Sequence, residues 1–432
     1  MKDSLKIAFH TLGCKLNFSE TSAITRDFAI NDHYEFVNIQ DVADVYVINS
    51  CSVTHNAEKK CRELIRRLRR QNPNALIAII GCYSQLKSGE IDSAGQVDLI
   101  LGNHEKFQLF DYVEQFRIKQ PIQKLLEPSK LNKFIPAWSG EGRTRKFLKI
   151  QDGCDYGCSY CIVPMARGRS RSDNIEATMN NVKTLAEKGV KELVLTGVNI
   201  GDFGKMHKET FFGLLKELDK IKGIERIRLS SVEPDLLEDD IIKLVADSQR
   251  IMPHFHIPLQ SGSDKVLAEM KRKYDTVLLS YKVEKIKKHM PLACIAIDII
   301  AGFPLETDED FSDTVKFIDS LPVSYLHVFT FSRRENTPAA GYKDVFEPKD
   351  RNLRSKLLKE LSRNKLKTFY AMNKGRETNV LFEGKTSNGF ISGFTPNYIR
   401  VKTPFDSNLE SNIKKVQLID FDVDMQFECK II

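Results

Sequence analysis

The chain has 432 residues, more than one ordinary hydrophobic core accommodates, so we expect two or three domains. Its 9 cysteines are an odd number and too sparse for a disulfide scaffold, and its first residues contain no long apolar segment, which favours the cytoplasm over secretion. No apolar run approaches the ~18 residues of a membrane span, and a net charge of +7 permits a polyanionic partner without requiring one.

Residues 1–120 alternate strand-like apolar runs with helical periods, which predicts a Rossmann-like α/β domain with a parallel sheet. Three of the strand-like runs are followed by cysteines: Cys14, Cys51 and Cys82. Ligands bind at the carboxyl edge of such sheets, so these cysteines can converge there. We interpret them as a three-thiolate cluster site. The alternative is three structural cysteines in a core.

A helix is predicted over residues 54–70, with Cys61 on its apolar face as a small core residue. The opposite face is strongly basic, which is typical of a solvated surface but also suits contact with phosphate groups. The basic residues are Lys59, Arg62, Arg66, Arg67, Arg69 and Arg70.

Residues 121–143 contain several prolines and scattered charges and are predicted to be a linker. Beyond them, one loop carries Cys154, Cys158 and Cys161 at CxxxCxxC spacing, with no fourth cysteine nearby. Zinc sites and ferredoxins normally use four ligands. A 4Fe-4S cluster on three thiolates leaves one iron open to bind a small molecule, which favours cluster-based catalysis. The alternative is a zinc knuckle or a chance grouping.

Residues 144–370 repeat strand-like runs that end in polar or glycine-bearing turns, with helical segments between them. This pattern predicts an open, partial (βα)6 barrel of the TIM type with its site at the strand ends. Arg167, Arg169 and Arg171 follow the cysteine loop and are suited to hold a carboxylate or a phosphate. His254 and His256 are interpreted as structural. Candidate ligand contacts at the strand ends are Gly197, Ser231, Glu233, Gln260 and Asp298.

Residues 371–432 change to short alternating runs broken by glycine and proline, which predicts a small β-barrel. Tyr398, Arg400 and Lys402 alternate along one run. We expect them to share one face, an aromatic and basic surface suited to RNA.

The cysteine loop resembles the signature of the radical S-adenosylmethionine (SAM) enzymes, in which the open iron binds SAM and the cluster cleaves it to a deoxyadenosyl radical. The last segment resembles the RNA-binding TRAM domain. The three parts in this order resemble the methylthiotransferases over essentially the whole chain. Four strings are similar to the enzyme acting on N6-threonylcarbamoyladenosine (t6A) in tRNA: HTLGCKLN at 10–17, KIQDGCDYGCSYC at 149–161, ARGRSRS at 166–172 and LTGVNIG at 195–201.

Two positions refine this resemblance. Lys15 and Leu16 follow the first cysteine, where the isopentenyladenosine enzyme usually has Gln and Met and the ribosomal-protein aspartate enzyme usually has Pro. Asn336 stands where the family more often has glycine. Asparagine also tolerates positive φ, so the same backbone is expected.

The resemblance implies two 4Fe-4S clusters and methylthiolation at C2 of t6A next to the anticodon. Cys154, Cys158 and Cys161 would hold the SAM-cleaving cluster. Cys14, Cys51 and Cys82 would hold an auxiliary cluster that supplies sulfur, and a second SAM would supply the methyl group. The implied partners are the tRNA anticodon loop, an external electron donor and a sulfur source, with no membrane and a monomeric chain. The implied SAM contacts are Gly197, Ser231, Glu233, Gln260, Asp298 and Arg169.

Other interpretations stay open at this stage. The same chemistry on isopentenyladenosine or on a ribosomal-protein aspartate is one alternative, although the basic helix and the Lys15-Leu16 pair argue against the protein substrate. A cluster-bearing RNA-binding or redox-sensing protein without turnover is the other. It predicts no SAM cleavage under reducing conditions, whereas two sets of three thiolates favour two open irons and hence catalysis.

Overall fold

A computed structural model of the chain describes residues 4–116, 122–140, 142–385 and 389–432. Two compact units are present. The first comprises Met1–Glu141, Phe147–Tyr156 and Cys161–Arg171, and the second comprises Gly142–Lys146, Gly157–Tyr160 and Ser172–Ile432. The predicted end of the first domain at residue 120 and the start of the linker at residue 121 lie outside the described residues. Within the described part, none of the helices has the length and apolar character needed to span a bilayer.

The secondary-structure elements have the following bounds in chain order. The strands are β1 (Leu5–Thr11), β2 (Tyr34–Phe36), β3 (Val45–Ser50), β4 (Leu76–Gly81), β5 (Leu99–Leu101), β6 (Ile122–Lys124), β7 (Ala137–Trp138), β8 (Arg145–Lys149), β9 (Gln151–Asp152), β10 (Arg171–Ser172), β11 (Glu192–Thr196), β12 (Arg226–Leu229), β13 (His254–Gln260), β14 (Cys294–Ala301), β15 (Tyr325–Thr330), β16 (Glu377–Lys385), β17 (Phe390–Phe394), β18 (Arg400–Pro404), β19 (Ile413–Phe421) and β20 (Phe427–Ile431). The helices are α1 (Lys15–Ala29), α2 (His55–Gln71), α3 (Cys82–Ser93), α4 (Leu109–Phe116), α5 (Val163–Arg167), α6 (Ile175–Glu187), α7 (Phe211–Asp219), α8 (Asp239–Asp247), α9 (Asp264–Glu269), α10 (Thr276–His289), α11 (Asp308–Ser320) and α12 (Pro348–Ala371).

The first unit is built on a six-stranded parallel sheet in the order β2-β1-β3-β4-β5-β6, which confirms the predicted sheet type. Its central strands β3 and β4 are buried along their whole lengths because alternate residues pack on opposite faces. Tyr46 and Ile48 pack in the same layer as α2, whereas Val45 and Val47 pack in the same layer as α1. Helices α1 and α2 therefore cover opposite faces, and the strand order reverses between β1 and β3, where such sheets open a ligand crevice.

The second unit continues the βα repeat that the sequence predicted. Strand β11 pairs with β12, and β13, β14 and β15 form a second parallel sheet. A single bridge between Ser231 and His256 connects the end of β12 to β13. Strand β13 ends at Gln260, which takes a positive φ of 70° where the register with β14 shifts. Such local distortion next to strand ends is frequent at ligand sites.

The chain ends in a closed five-stranded barrel in the order β16-β17-β18-β20-β19, as predicted for this segment. Buried arginines on β12 fasten the barrel to the βα repeat. Arg228 pairs with Glu192 at 2.9 Å and also donates to the carbonyl oxygens of Thr395 and Pro396. Arg226 donates to two further carbonyl oxygens of the barrel segment. A planar guanidinium suits this role because it satisfies several acceptors at once.

Tyr398 also belongs to this internal contact. Its ring lies 4.4 Å from the ring of His254 and 4.7 Å from that of Phe394, measured between centroids. The prediction that Tyr398 shares an RNA-facing surface with Arg400 and Lys402 is therefore wrong. Tyr398 precedes β18 and has a φ of 65°, so it does not follow the alternation of the strand.

Candidate functional site

Cys14, Cys51 and Cys82 lie just past the carboxyl ends of β1, β3 and β4. Cys14 directly precedes α1, and Cys82 is the first residue of α3. Burial, together with the neighbouring thiols of Cys82 and Cys14, raises the pKa of Cys51 to about 12. The three thiols are thus close enough to act on one another electrostatically. The structure brings them together at the sheet edge, as the strand order requires.

The spacing of these thiols fits a cluster better than a single zinc ion. Among the described residues, only one group of three potential ligand side chains has its ligand atoms within 4.8 Å of one another, and that group contains none of these cysteines. The three sulfur atoms of Cys14, Cys51 and Cys82 are therefore more widely spaced. Two sulfur atoms bonded to one zinc at about 2.3 Å can be at most about 4.6 Å apart. In a cluster each thiolate binds a different iron, so the ligand sulfur atoms can lie farther apart than those bonded to one zinc ion.

A buried ionic network lies beside these cysteines in the same unit. Glu20 on α1 accepts from Lys106 at 2.7 Å, from Lys149 at 2.8 Å and from Arg167 at 3.0 Å. A second carboxylate, at position 152 in β9, binds a partly overlapping set of cations, each at 2.9 Å. These pairs are Lys149–Asp152, Arg167–Asp152 and Arg171–Asp152.

The network contains more positive than negative charge. Although burial opposes ionisation, Arg167, Lys106 and Lys149 hold the pKa of Glu20 well below its ordinary value. Four cations minus two carboxylates leaves a formal charge of two positive on side chains that are each at most 5% exposed. Uncompensated buried charge is costly, so a nearby anion is expected. Three thiolates at the sheet edge would supply it.

One link between the network and the cysteines is Asn17. Its Oδ1 accepts from Arg167 Nη2 at 2.7 Å and lies 3.9 Å from Cys14 Sγ. Burial opposes the charge of Arg167, but Glu20, Cys82 and Asp152 hold its pKa well above the ordinary value. A permanent cation is thus placed beside the thiols.

A second link is Asn103, which the sequence analysis did not single out. Its Oδ1 accepts from Lys106 at 2.8 Å, while its Nδ2 donates to Cys82 Sγ at 3.6 Å and to the carbonyl oxygen of Ala166 at 2.8 Å. Hydrogen bonds and positive charge at a ligand sulfur stabilise the thiolate form and tune a bound cluster. The donor set of this edge therefore fits an iron-sulfur cluster.

The prediction for the arginines after the cysteine loop is only partly sustained. Arg167 and Arg171 are buried in the ionic network, so their assignment to a SAM carboxylate or an RNA phosphate is wrong. Arg169 lies between them in the sequence and is exposed, so it stays a candidate contact.

The cysteine loop begins at a strained backbone position. Gly153 has a φ of 69°, and a Cβ atom there would lie 2.0 Å from the carbonyl oxygen of Arg169. The next residue, Cys154, donates its N–H to the carbonyl oxygen of Gly168 at 3.1 Å. Its sulfur accepts from the N–H of Tyr156 at 3.4 Å. Glycine is required at 153 because backbone of another segment occupies the space of a side chain.

Cys158, in the second unit, has a partner that sequence reasoning missed. Arg272 Nη1 donates to Cys158 Sγ at 2.9 Å, and Nη2 of the same guanidinium pairs with Glu233. Burial raises the pKa of Cys158, and the charge of Arg272 opposes that rise. Arg272 stands in the basic run KRK at 271–273, which is typical of a solvated turn, so no pattern distinguished it.

Strand-end residues of the second unit form an acidic surface. Burial, opposed by Arg272 but reinforced by Asp235 and Asp298, raises the pKa of Glu233 to about 7. Ser230 lies three residues before Glu233, and its Oγ is buried without a hydrogen-bond partner among the described residues. The carboxylate could pair with the ammonium group of SAM, and the hydroxyl could form a hydrogen bond with a hydroxyl group of SAM. Of the other predicted contacts, Gly197 and Ser231 are half-buried and Gln260 is buried.

Only part of the predicted basic face of α2 is available to contact phosphate groups. On α2, Arg62 pairs with Glu90 and Arg69 pairs with Asp98, so both have structural partners within the unit. The exposed cations on this helix are Lys59, Lys60, Arg66, Arg67 and Arg70.

Two stretches of the chain match known protein families. Residues 6–102 match the "Uncharacterized protein family UPF0004", and residues 148–318 match the Radical SAM superfamily. The chain is 38% identical to the threonylcarbamoyladenosine tRNA methylthiotransferase MtaB of Aquifex aeolicus, over 87% of this chain and 92% of that protein. It is also 38% identical to the Bacillus subtilis protein of the same name, over 96% and 93%. A tRNA-2-methylthio-N(6)-dimethylallyladenosine synthase of Bacillus subtilis is 33% identical, over 91% and 79%.

The fold is shared with a more distant protein. The radical SAM methyltransferase TsrM of Kitasatospora setae, solved with tryptophan and a SAM analogue, has a TM-score of 0.56. It is 13% identical, and the match covers 75% of this chain and 73% of that chain. At this identity the likeness shows the fold alone.

Replacing Glu20 with Gln should lower the free energy of unfolding by about 3–5 kcal/mol, because it leaves three buried cations with one carboxylate fewer. Guanidinium unfolding measures this loss. Lys106→Met added to E20Q should recover part of it, since removing both partners costs less than removing one. Lys220→Gln, which breaks an exposed pair, is the control and should change stability by less than about 1 kcal/mol. Additive losses in the double variant would contradict this account.

Replacing Gly153 with Ala should disrupt the cysteine loop, because the new Cβ atom collides with backbone. We expect loss of roughly half or more of the iron bound at this loop, measured in a C14A background that isolates it. Gly157→Ala is the matched control, since no atom lies within 4 Å of a Cβ atom there. Equal iron contents in the two variants would show that the strained turn does not position the ligands.

Proposed function

The chain belongs to the radical SAM tRNA methylthiotransferases, in the group of the threonylcarbamoyladenosine enzymes, and we propose that it inserts a methylthio group at C2 of t6A next to the anticodon of tRNA. The observation that carries the proposal is 38% identity over almost the full length of both chains. The residues at Lys15 and Leu16 support t6A over isopentenyladenosine or a ribosomal protein as the substrate.

The SAM-binding cluster is assigned to Cys154, Cys158 and Cys161. When bound, such a cluster supplies one electron for SAM cleavage, and the resulting deoxyadenosyl radical removes hydrogen from an inert C–H bond. Arg272 holds the sulfur of Cys158 by a hydrogen bond and places a fixed positive charge there. Glu233, which pairs with the same guanidinium, would bind the ammonium group of SAM.

The auxiliary cluster is assigned to Cys14, Cys51 and Cys82, and it would supply sulfur. Arg167 provides the permanent cation that favours their thiolate forms, and Asn103 donates to one of them. Because thiols must lose their protons to bind iron, this charge lowers the cost of loading the site.

The finer architecture is also part of the proposal. Residues 144–370 would form an open, partial (βα)6 barrel, which the parallel strand pairs and the match to the Radical SAM superfamily support. Residues 1–120 would form the amino-terminal methylthiotransferase domain, 121–143 a linker, and 371–432 a TRAM domain, which the closed five-stranded barrel supports. Gly197, Ser231, Gln260, Asp298 and Arg169 complete the proposed SAM contacts.

The proposed partner is the anticodon loop of tRNA, with the target base splayed out of its stack. Exposed cations of α2 would contact phosphate groups. The enzyme would act in the cytoplasm as a monomer, with an external electron donor and an external sulfur source.

The decisive experiment is anaerobic. Protein with reconstituted clusters is mixed with dithionite, SAM and tRNA carrying t6A, and the digested nucleosides are weighed by mass spectrometry. We expect a gain of one CH2S unit on t6A that disappears in C14A and in C158A. Cys61→Ala is the control, because Cys61 is a core residue of α2 and should retain the activity.

Two other outcomes would change the proposal. Release of deoxyadenosine without the mass gain on t6A would indicate that the substrate is isopentenyladenosine or a ribosomal-protein aspartate instead. Absence of both products would favour a cluster protein that binds RNA or senses redox state without turnover.

The raised pKa of Glu233 predicts a pH dependence of SAM binding. Above about 7 the carboxylate form dominates and attracts the ammonium group, whereas below it the neutral acid does not. The dissociation constant for SAM should therefore rise by up to about tenfold for each pH unit below 7. Equilibrium dialysis between pH 6 and 8 measures it. Glu233→Gln should bind weakly at all of these pH values, and a retained pH dependence in that variant would exclude Glu233 as its source.

A further inference from the structure

We propose that His256, Asp298 and His327 form a binding site for one divalent transition-metal ion, with ligands that belong to neither set of cluster cysteines. One ligand atom from each side chain lies within 4.8 Å of the other two. Neither the sequence patterns nor the proposed reaction assigns an ion to these residues.

The backbone places the three side chains on one face of the β13-β14-β15 sheet. Asp298 and His327 are direct neighbours in the register of β14 and β15. His256 is the register partner of Ala296, two residues before Asp298, so it is the diagonal neighbour on the same face. Three consecutive parallel strands therefore each contribute one ligand, which gives the site a rigid frame.

The distances are compatible with a shared ion. His256 Nε2 lies 2.6 Å from Asp298 Oδ1, and the ring centroids of His256 and His327 are 4.9 Å apart. Ligand atoms bonded to one zinc ion at about 2.0–2.2 Å stand about 3.3–3.6 Å apart in a tetrahedral arrangement. Small side-chain rotations would bring the three atoms to that spacing without moving the strands.

The donor set selects the class of ion. Two imidazoles and one carboxylate suit zinc, iron(II) and related borderline ions, and leave further coordination positions open. Calcium and magnesium prefer oxygen ligands only and are disfavoured.

The site is reachable from solvent. The side chains of His256 and Asp298 are 20% and 16% exposed, and His327 is exposed. A hydrogen bond between His256 and Asp298 alone would agree with the structural role predicted for this histidine, whereas the proposed site also uses His327, whose ring centroid lies 4.9 Å from that of His256. In the metal site His256 and Asp298 act as ligands, which replaces both that role and the SAM contact predicted for Asp298.

Zinc is the probe that tests the site. The chain purified anaerobically with its iron is dialysed against buffered Zn²⁺, zinc and iron are counted, and the zinc K-edge absorption spectrum is recorded. We expect about one zinc per chain with nitrogen and oxygen neighbours at about 2.0–2.1 Å and no sulfur at about 2.3 Å. Because the readout is bound zinc, failure of the proposed tRNA reaction would not affect it.

Two variants make the test specific. His327→Gln removes a ligand from an exposed position and should weaken zinc binding by about a hundredfold or more, since even outer partners of ligands contribute about 10–100-fold. His289→Gln, an exposed histidine in the last turn of α10, should bind as the parent does. Sulfur neighbours in the spectrum, no retained zinc, or unchanged affinity in H327Q would each overturn the proposal.

Discussion

The excess of buried positive charge around Glu20 is the constraint on which the first unit depends. Lys106, Lys149 and Arg167 are removed from water by packing, and burial of cations without matching anions is strongly unfavourable. Burial likewise opposes ionisation of the Cys51 thiol, because it raises the pKa of that group. If the proposed cluster binds Cys14, Cys51 and Cys82, their thiolates and the buried cations would compensate one another's charge. Folding of this unit and loading of its cluster are expected to be coupled for that reason.

Buried arginines recur as the means by which segments distant in sequence are joined. Arg228 fastens the terminal barrel to a strand of the βα repeat, and Arg272 fixes a cysteine and a carboxylate together. Each guanidinium satisfies several acceptors in one plane, which lysine cannot do. A modest net charge of +7 thus says little about nucleic acid in this chain, because part of the basic content is used internally.

The strand ends of the second unit carry a different kind of chemistry. Glu233 lies beyond the end of one strand, and two histidines lie beside Asp298 within neighbouring strands, so this region is proposed to attract cations such as the ammonium of SAM or a metal ion. The distant structural relative shares the fold at 13% identity, which shows that the scaffold tolerates very different sequences. In βα folds generally, the residues at the strand ends, and not the scaffold, determine which reaction is catalysed.

The sequence by itself determined the parts that depend on local pattern: the alternation of strands and helices, the cysteine loop, the cysteines after three strands and the terminal barrel. Periodicity and spacing reveal these because neighbours along the chain create them. Tertiary structure alone decided that Glu20 meets Arg167, 147 positions away, that Arg272 meets Cys158, 114 positions away, and that three strands align His256, Asp298 and His327. Charged residues in helices and turns usually face water. Only packing, which removes water from particular sites, turned Glu20, Arg167 and Arg272 into buried partners, and only strand register brought the two histidines and Asp298 together.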